Sequence, residues 1–429
     1  MLRVAMSSVL VEVYGCSANV ADAEIASGLL NEAGFKIVNN FEVADAVVLL
    51  TCVVKTPTER KITKRIQWIA RQEKPLVVAG CMPNTLRSRI EEVAPKASLI
   101  GTEDLVKIPE AVQIALEKKR VVFIEGSSVE RCLMPRLRRS SVIHIEPISS
   151  GCLGNCAYCI VKFARGKLHS YPYDRIIENV KSALTDGCKE IWVTAEDTAC
   201  YESNEINLPK LLLKLSEIPG KFKIRVGMMT PNYAKLIEDE LISAFREEKI
   251  FKFLHVPVQS GSDEVLKRMR RRYSKDDFCS IVNRFRQEIP GLTICTDIIC
   301  GFPGETEEQF HESLELVKWL QPDMLNISRF WVRPGTEAET IKPQIPGRVI
   351  KKRSTELNTL WKKLNYESTF HWVGWEGEIL IDEHGYKETI VGRNYAYKAI
   401  ALDAQLELGS YVQVKAVKAD QGFLLGKII

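Results

Sequence analysis

The stretch Gly151-Cys152-Leu153-Gly154-Asn155-Cys156-Ala157-Tyr158-Cys159 follows directly on an apolar run, Val142–Ile148. Three cysteines spaced CxxxCxxC, placed after a strand and ahead of helix-forming sequence (Asp174–Thr185), form a ligand set rather than a packing pattern. Zinc motifs usually pair two CxxC units, and no second pair stands here. A four-iron cluster takes four ligands, so three thiolates from one loop leave one iron open to a cofactor or substrate.

Downstream of this loop the alternation of strand and helix repeats. Candidate strands are Val142–Ile148, Glu190–Thr194, Lys223–Met228, Phe253–Val258, Thr293–Ile299 and Met324–Ser328. Helical segments such as Lys235–Glu247, Ser274–Gln287 and Glu307–Leu320 separate them. Six such repeats predict a partial (β/α)6 barrel, and the loop cysteines then stand at the carboxyl end of its first strand, where barrels keep their chemistry.

Upstream, Val9–Val13, Ala46–Leu50 and Leu76–Ala79 read as buried strands separated by the helical patterns Asp22–Glu32 and Glu59–Gln72, with Glu110–Lys118 to follow. That pattern predicts a doubly wound α/β domain ending near Ser127. Gly126–Ser141, with Pro135, Arg131, Arg136, Arg138 and Arg139, reads as a basic linker. After helical sequence over Gly347–Ser368 come short candidate strands, Gly377–Ile381, Glu388–Val391, Lys398–Leu402, Tyr411–Val417 and Gly422–Lys427, spaced like a small all-β barrel. The expected organisation is an α/β multidomain protein: residues 1–127, a linker over 128–141, a barrel over 142–368 and a β-module over 369–429.

The same topology singles out three more cysteines. Cys16, Cys52 and Cys81 each follow one of the first three strands, so they belong on one edge of a parallel sheet, where open α/β folds place their ligand crevice. Three thiols in equivalent positions point to a second cluster with an open iron. Cys132, Cys188, Cys200, Cys279, Cys295 and Cys300 have no ligand spacing and read as small buried residues, although Cys200 and Cys300 lie nearer the barrel mouth.

The composition sets limits on function. No window reaches the roughly 18 apolar residues of a membrane span, and no secretory signal opens the chain, so a cytosolic protein is expected. In that compartment twelve cysteines do not form a disulfide framework. A net charge of +4 does not by itself imply nucleic acid, but basic residues cluster in Arg131–Arg139, Arg268–Arg272 and Lys351–Arg353.

The CxxxCxxC loop resembles the signature of the radical S-adenosylmethionine (SAM) superfamily. Tyr14-Gly15-Cys16-Ser17-Ala18-Asn19 with Asp22 and Glu24, Thr51-Cys52 and Gly80-Cys81 resemble the amino-terminal domain of methylthiotransferases, and the terminal module resembles the TRAM domain, a small OB-like RNA-binding barrel. Val54-Lys55-Thr56-Pro57-Thr58-Glu59, Gly80-Cys81-Met82-Pro83, Cys152-Leu153-Gly154-Asn155-Cys156, Arg225-Val226-Gly227-Met228-Met229-Thr230-Pro231-Asn232 and Arg333-Pro334-Gly335-Thr336 are similar to the archaeal and eukaryotic branch that acts on N6-threonylcarbamoyladenosine beside the anticodon. Leu50, where asparagine commonly precedes the second cysteine, and Cys200 and Cys300, in places usually held by small residues, depart from the pattern. The hydrophobic tail of the eukaryotic members is missing, which suggests an archaeal-like soluble form.

The resemblance implies two 4Fe-4S clusters, one on Cys152, Cys156 and Cys159 and one on Cys16, Cys52 and Cys81. It also implies SAM as cofactor and the anticodon stem-loop of tRNA as partner. The first cluster would cleave SAM to a 5′-deoxyadenosyl radical, the second would present sulfur, and the product would be a methylthio group on C2 of adenosine 37. An electron donor and a sulfur donor would be further partners. Glu196, Asp197, Arg225, Gln259, Ser260 and Asp297, at or near strand ends, are candidate SAM contacts, with Gly301-Phe302-Pro303-Gly304-Glu305 as a close-approach loop. Each can equally cap a helix or close a loop. RNA affinity would draw on the linker arginines, on Arg268, Arg270, Arg271 and Arg272, and on Trp372, Trp375, Tyr395 and Tyr397, which can stack bases or fill the terminal core. Rival readings are the same chemistry on isopentenyladenosine or on a ribosomal-protein aspartate, and a non-catalytic iron–sulfur RNA-binding protein.

Overall fold

The computed structural model describes residues 7–126 and 130–429. The predicted domain end at Ser127 and the start of the predicted linker, Ser128 and Val129, lie outside the described residues. The chain forms two compact units. The first takes in the chain to Arg139 together with Ser149–Gly154 and Cys159–Tyr171, and the second is Ser140–Ile148, Asn155–Tyr158 and Pro172–Ile429.

The first unit is built on a parallel sheet. Its strands are β1 (Ser8–Val13), β2 (Lys36–Val38), β3 (Ala46–Thr51), β4 (Leu76–Gly80), β5 (Ser98–Ile100) and β6 (Val122–Phe123), in the order β2-β1-β3-β4-β5-β6. The central strands are apolar throughout because both faces are covered. Val47, Leu49 and Val78 point to one face and pack with Ile62, Ile66 and Ile69 of helix α2 (Thr56–Arg71). Val48, Leu50, Val77 and Ala79 point to the other, toward helix α1 (Ser17–Glu32). Helices α3 (Cys81–Thr85), α4 (Arg87–Val93), α5 (Ile108–Leu116) and α6 (Val161–Arg165) complete the unit. Helix α1 starts five residues before the predicted Asp22 because it is buried on most sides, polar Asn19, Asp22 and Glu24 included, and so carries no amphipathic stripe to announce it. Residues 130–139 are packed rather than free: Leu137 N–H donates to Glu24 O, Arg139 N–H to Glu24 Oε1, and a Cβ on Gly28 would meet Pro135 O at 2.2 Å.

The second unit opens with six parallel strands, β7 (Ile143–Pro147), β8 (Glu190–Thr194), β9 (Lys223–Val226), β10 (Phe253–His255), β11 (Thr293–Cys300) and β12 (Met324–Arg329). They form two three-stranded sheets whose spatial order follows the chain, with a parallel bridge from Ile224 to Ile250 between them. This is the expected partial barrel. The predicted helix Lys235–Glu247 is two helices, Pro231–Leu236 and Glu238–Phe245, broken at Ile237. A helix over Gly347–Phe370 leads into a closed five-stranded barrel: β13 (Glu376–His384), β14 (Ile390–Arg393), β15 (Ala399–Leu402), β16 (Tyr411–Asp420) and β17 (Phe423–Ile428). Trp372, Trp375 and Tyr395 pack on one another with ring centroids 6.0–6.4 Å apart, so these rings stack mainly among themselves.

Candidate functional site

The strand order of the first unit reverses direction between β1 and β3, and open α/β sheets bind ligands at such a switch point, beyond the carboxyl ends of the strands. Cys16 stands after β1, Cys52 directly after β3, and Cys81 directly after β4. The thiols are electrostatic neighbours: burial first, then Cys16, raises the Cys52 thiol, and burial pushes Cys81 up to about 12 with Cys52 and Cys16 adding to it. Glycines allow this approach. Gly15 has φ +131°, and a Cβ there would stand 2.9 Å from Cys52 Cβ and 2.5 Å from Asn19 Nδ2.

Beneath the thiols lies a buried polar network. Asn19 Nδ2 donates to Tyr14 O (2.8 Å) and Thr51 O (2.9 Å), tying the loops after β1 and β3 together. Arg165 Nη2 donates to Asn19 Oδ1 and Asp22 Oδ2, both at 2.8 Å, and Arg131 Nε lies 3.2 Å from Asp22 Oδ1. Cys81 Sγ is 3.9 Å from Asn19 Oδ1, and the Arg165 charge is what opposes the upward shift of that thiol. Arg165 had no place in the sequence reading because its partners lie over 140 residues away in the chain.

The Gly151–Cys159 loop is anchored at both ends. Gly151 has φ +79°, and a Cβ there would meet Lys167 O at 2.1 Å, so no other residue fits. Ser149–Ser150 pairs antiparallel with His169–Ser170, Cys152 N–H donates to Gly166 O, and Gly154 N–H donates to Cys152 Sγ at 3.1 Å. In the second unit, Ala157 N–H donates to Met269 O and Ala157 O accepts from Ala338 N–H. Arg271 Nη1 sits 3.0 Å from Cys156 Sγ, and Arg271 Nε donates to Tyr273 Oη at 2.9 Å. Burial works against the charge of Arg271, but Tyr158, Tyr273 and Cys156 outweigh it and the net shift is upward. Its Nη2 is buried with no hydrogen-bond partner among the described residues, a donor directed at something the polypeptide does not supply.

The strand-end polar residues divide. Asp297 Oδ2 lies 3.2 Å from His255 Nε2. Gln259 holds φ +72° and bridges to β11, with Gln259 N–H donating to Asp297 O and Gln259 O accepting from Ile299 N–H. Such a backbone is uncommon in a non-glycine residue, and here the pairing with β11 holds it. Ser260 is buried, its Oγ accepting from Ser262 N–H. Glu196 is half-buried in the loop after β8. Asp197 is occupied: it accepts from Ala199 N–H, Thr230 N–H and Thr230 Oγ1, a loop-closing role. Arg225 points elsewhere. Its guanidinium lies 4.7–5.2 Å from the rings of Trp192, Phe253 and Tyr397, the last from the terminal barrel. Cys200 and Cys300 are both buried, and burial pushes Cys300 up to about 12.

Both donor sets consist of thiols, the ligand type that iron–sulfur clusters take. Among the described residues no group of three or more His, Cys, Asp or Glu is placed to hold a metal ion. No helix of the described residues is long and apolar enough to cross a membrane.

Comparison with known proteins fits this geometry. The Radical SAM superfamily model matches residues 147–317, and the model of Uncharacterized protein family UPF0004 matches residues 8–101. Among solved structures, the radical SAM methyltransferase TsrM of Kitasatospora setae superposes with a TM-score of 0.59 at 15% identity, covering 78% of this chain and 77% of that one. The cobalamin-dependent SAM radical enzyme OxsB gives 0.55 at 11% identity, over 84% and 56%. Sequence relatives are much closer. A probable threonylcarbamoyladenosine tRNA methylthiotransferase of Pyrococcus horikoshii is 41% identical, covering 99% of this chain and 100% of its own. The corresponding protein of Methanocaldococcus jannaschii is 40% identical over 98% and 97%, and that of Danio rerio 36% over 98% and 78%. With the switch-point triad, the CxxxCxxC loop and full-length identity above 40%, the chain belongs to the threonylcarbamoyladenosine tRNA methylthiotransferase family of radical SAM proteins.

Proposed function

We propose that this chain is a cytoplasmic tRNA (N6-L-threonylcarbamoyladenosine-C2)-methylthiotransferase acting at position 37 of the anticodon stem-loop. The observation that carries the reading is the pair of cysteine triads, one at the switch point of a parallel sheet and one after the first strand of a partial barrel, in a chain collinear with relatives of that name. Cys152, Cys156 and Cys159 hold one 4Fe-4S cluster, and Cys16, Cys52 and Cys81 the other. The functional division follows residues 1–127, 128–141, 142–368 and 369–429.

Adenine C2 is not a useful nucleophile, so acid–base chemistry gives no easy route to a carbon–sulfur bond there. Two bound clusters and SAM would supply radical and sulfur chemistry for that route. The chain's own groups hold and shield. Arg271 fixes the Cys156 sulfur and keeps one N–H for an anionic group of the cofactor. Asp297 with His255, Gln259, Ser260 and Glu196 supply polar contacts to SAM. Asn19 and Arg165 hold the first triad in place. Electrons and sulfur come from separate donor proteins or small molecules. Mass spectrometry of tRNA nucleosides with and without this gene tests the reading: 2-methylthio-N6-threonylcarbamoyladenosine should disappear. Loss of a methylthiolated isopentenyladenosine instead would reassign the substrate.

A further inference from the structure

A tRNA backbone requires cations that face solvent, and many residues of the three basic clusters visible in the sequence have partners within the protein, although Arg272 and Lys351 are exposed. Arg131 bonds Asp22, and Arg139 bonds Val11 O. Arg268 bonds Gln309 and Gly304 O, Arg270 pairs with Glu337, and Arg271 holds Cys156. Arg353 is buried against Glu305 and Glu307, and Lys352 pairs with Glu307 as well.

Helix α2 carries a longer row of exposed cations on one face. Its buried stripe is Glu59, Ile62, Ile66 and Ile69. The opposite stripe, Pro57, Lys61, Lys64, Trp68 and Arg71, repeats at alternating steps of four and three, with Arg60 beside it and Lys55 at the N-cap. Lys55, Arg60, Lys61, Lys64 and Arg71 are all exposed, and Trp68 is 41% exposed. Glu59, the helix's one acidic residue, is turned inward and bonded to Arg89. Among the described residues none of Lys55, Arg60, Lys64 or Arg71 makes an ion pair. The row starts at the sheet edge that bears the first triad: Lys55 is three residues after Cys52, and Lys61 lies 5.5 Å from the ring of Tyr14, two residues before Cys16. From Arg60 to Arg71 it runs about 16 Å.

We propose that this face of α2 is a phosphate-binding surface for the substrate tRNA, seating the backbone of the anticodon arm beside the Cys16/Cys52/Cys81 edge, with Trp68 as a stacking platform. The inference rests on the tRNA reading above. A row of unpaired cations that ends at the reactive edge serves a polyanion whose target base must reach that edge. A lipid surface fits less well, because a membrane-seated helix turns its apolar face outward and that of α2 is sealed in the core.

The test uses the full-length, cluster-loaded protein and an anticodon stem-loop carrying N6-threonylcarbamoyladenosine. Binding is measured against salt concentration for the wild type, for Arg60→Gln/Lys61→Gln/Lys64→Gln, and for a control, Lys36→Gln/Lys96→Gln/Lys118→Gln, which removes equal charge from exposed positions away from α2. Each lost phosphate contact lowers the slope of log K against log salt by about 0.7–0.9, so the α2 variant should lose about two to three from its slope and bind roughly tenfold or more weakly near 0.1 M salt. The control should bind within about twofold of wild type. Unchanged iron content and circular dichroism show that both variants are folded. If the α2 variant keeps the wild-type slope, or both variants weaken alike, the surface is wrong while the tRNA reading stands. If the wild type binds no stem-loop but binds anionic phosphatidylglycerol vesicles through this row, both fall.

Discussion

Two half-buried arginines of the second unit, Arg271 and Arg225, show how differently the two ends of one barrel are used. Arg271, in the loop after the fourth strand, lies against the Cys156 sulfur and keeps a donor unspent. Arg225, in mid-strand, is directed to the other end, where its neighbours Phe253 and Glu190 are the first residues of β10 and β8. There it lies over Trp192 and Tyr397 in a packed group: Trp192 Nε1 bonds Glu190 Oε1, Arg393 Nε is 3.2 Å from Asp382, and Tyr397 packs on Phe251 and Phe253 at 4.9–5.0 Å. The first places its unpaired donor beside a cysteine of the loop. The second leaves Arg225 Nε unpaired as well, but holds that guanidinium among the rings that attach the terminal barrel.

That contrast makes graded predictions, the largest at the carboxyl end. Cys152→Ala/Cys156→Ala/Cys159→Ala should halve the iron from about eight per chain and abolish 5′-deoxyadenosine formation. Cys16→Ala/Cys52→Ala/Cys81→Ala, shown to be folded, should also halve the iron yet still form 5′-deoxyadenosine while making no methylthiolated nucleoside. Full iron in the first variant would overturn the loop assignment. Repeated methylthiolation by the second would return its cysteines to a structural role.

At the amino end the currency should be stability. Tyr397→Ala removes a buried ring that touches Phe251, Phe253 and Arg225, and should cost about 3–5 kcal/mol in urea unfolding. SAM cleavage per folded molecule should stay near wild type. A folded Tyr397→Ala protein that has lost SAM cleavage would erase the distinction between the ends.

The two arginines themselves sharpen it. Arg271→Met leaves Cys156 without its donor, and loss of such an outer-shell partner costs about 10–100-fold in activity or affinity. Because a cation beside the sulfur favours the more negative, reduced cluster, the midpoint potential read by electron paramagnetic resonance should also fall. Arg225→Met should move neither readout while lowering stability by about 2 kcal/mol, through the lost contacts with the Trp192, Phe253 and Tyr397 rings.

The sequence points Arg225 to the cofactor and Arg271 to RNA, whereas the fold sets Arg225 among aromatic rings and Arg271 beside Cys156, and the reason is geometric. An arginine side chain reaches past two residues of strand, so from mid-strand it serves either end, and only the packed partner, here Tyr397 from 172 residues later, decides which. Features set by nearby sequence were legible. Helix Glu307–Leu320 was bounded correctly, and its start is fixed by the capping box of Thr306 and Gln309. The strand-then-cysteine pattern was legible because the strands are apolar runs, and Cys16, Cys52, Cys81 and Cys152 do follow strands in the fold. Asn19, Asp22, Arg131 and Arg165 act across long stretches of chain, so their roles emerge only from the fold, although Asn19 and Asp22 were flagged by resemblance. The same holds for Lys351–Arg353, where Arg353 turns inward to Glu305.

The smallest effect concerns pH. Glu190 is pushed up to about 8, first by burial and then by the nearby Asp382 carboxylate, with Trp192, Arg393 and Arg225 acting the other way. Its ordinary value is 4.5. Below that value folded and unfolded chains both hold the proton and its contribution to stability is fully present. Between about 4.5 and 8 the unfolded chain releases the proton and the folded chain keeps it, so rising pH favours unfolding; above about 8 both are ionised and the trend ends. Glu190→Gln keeps the shape, can donate to Asp382, and has nothing to titrate. Melting temperature followed from pH 5 to pH 9 should therefore fall less steeply for Glu190→Gln than for the wild type up to about pH 8, and the two curves should run parallel beyond it. The gap between the two curves should open as pH rises and reach its full size by about pH 8. Parallel curves across the whole range would mean that Glu190 is already ionised in the fold, held by Arg393 and Arg225. The attachment of the terminal barrel would then be a salt-bridged one, and 1 M salt should weaken it where it leaves a protonated pair untouched.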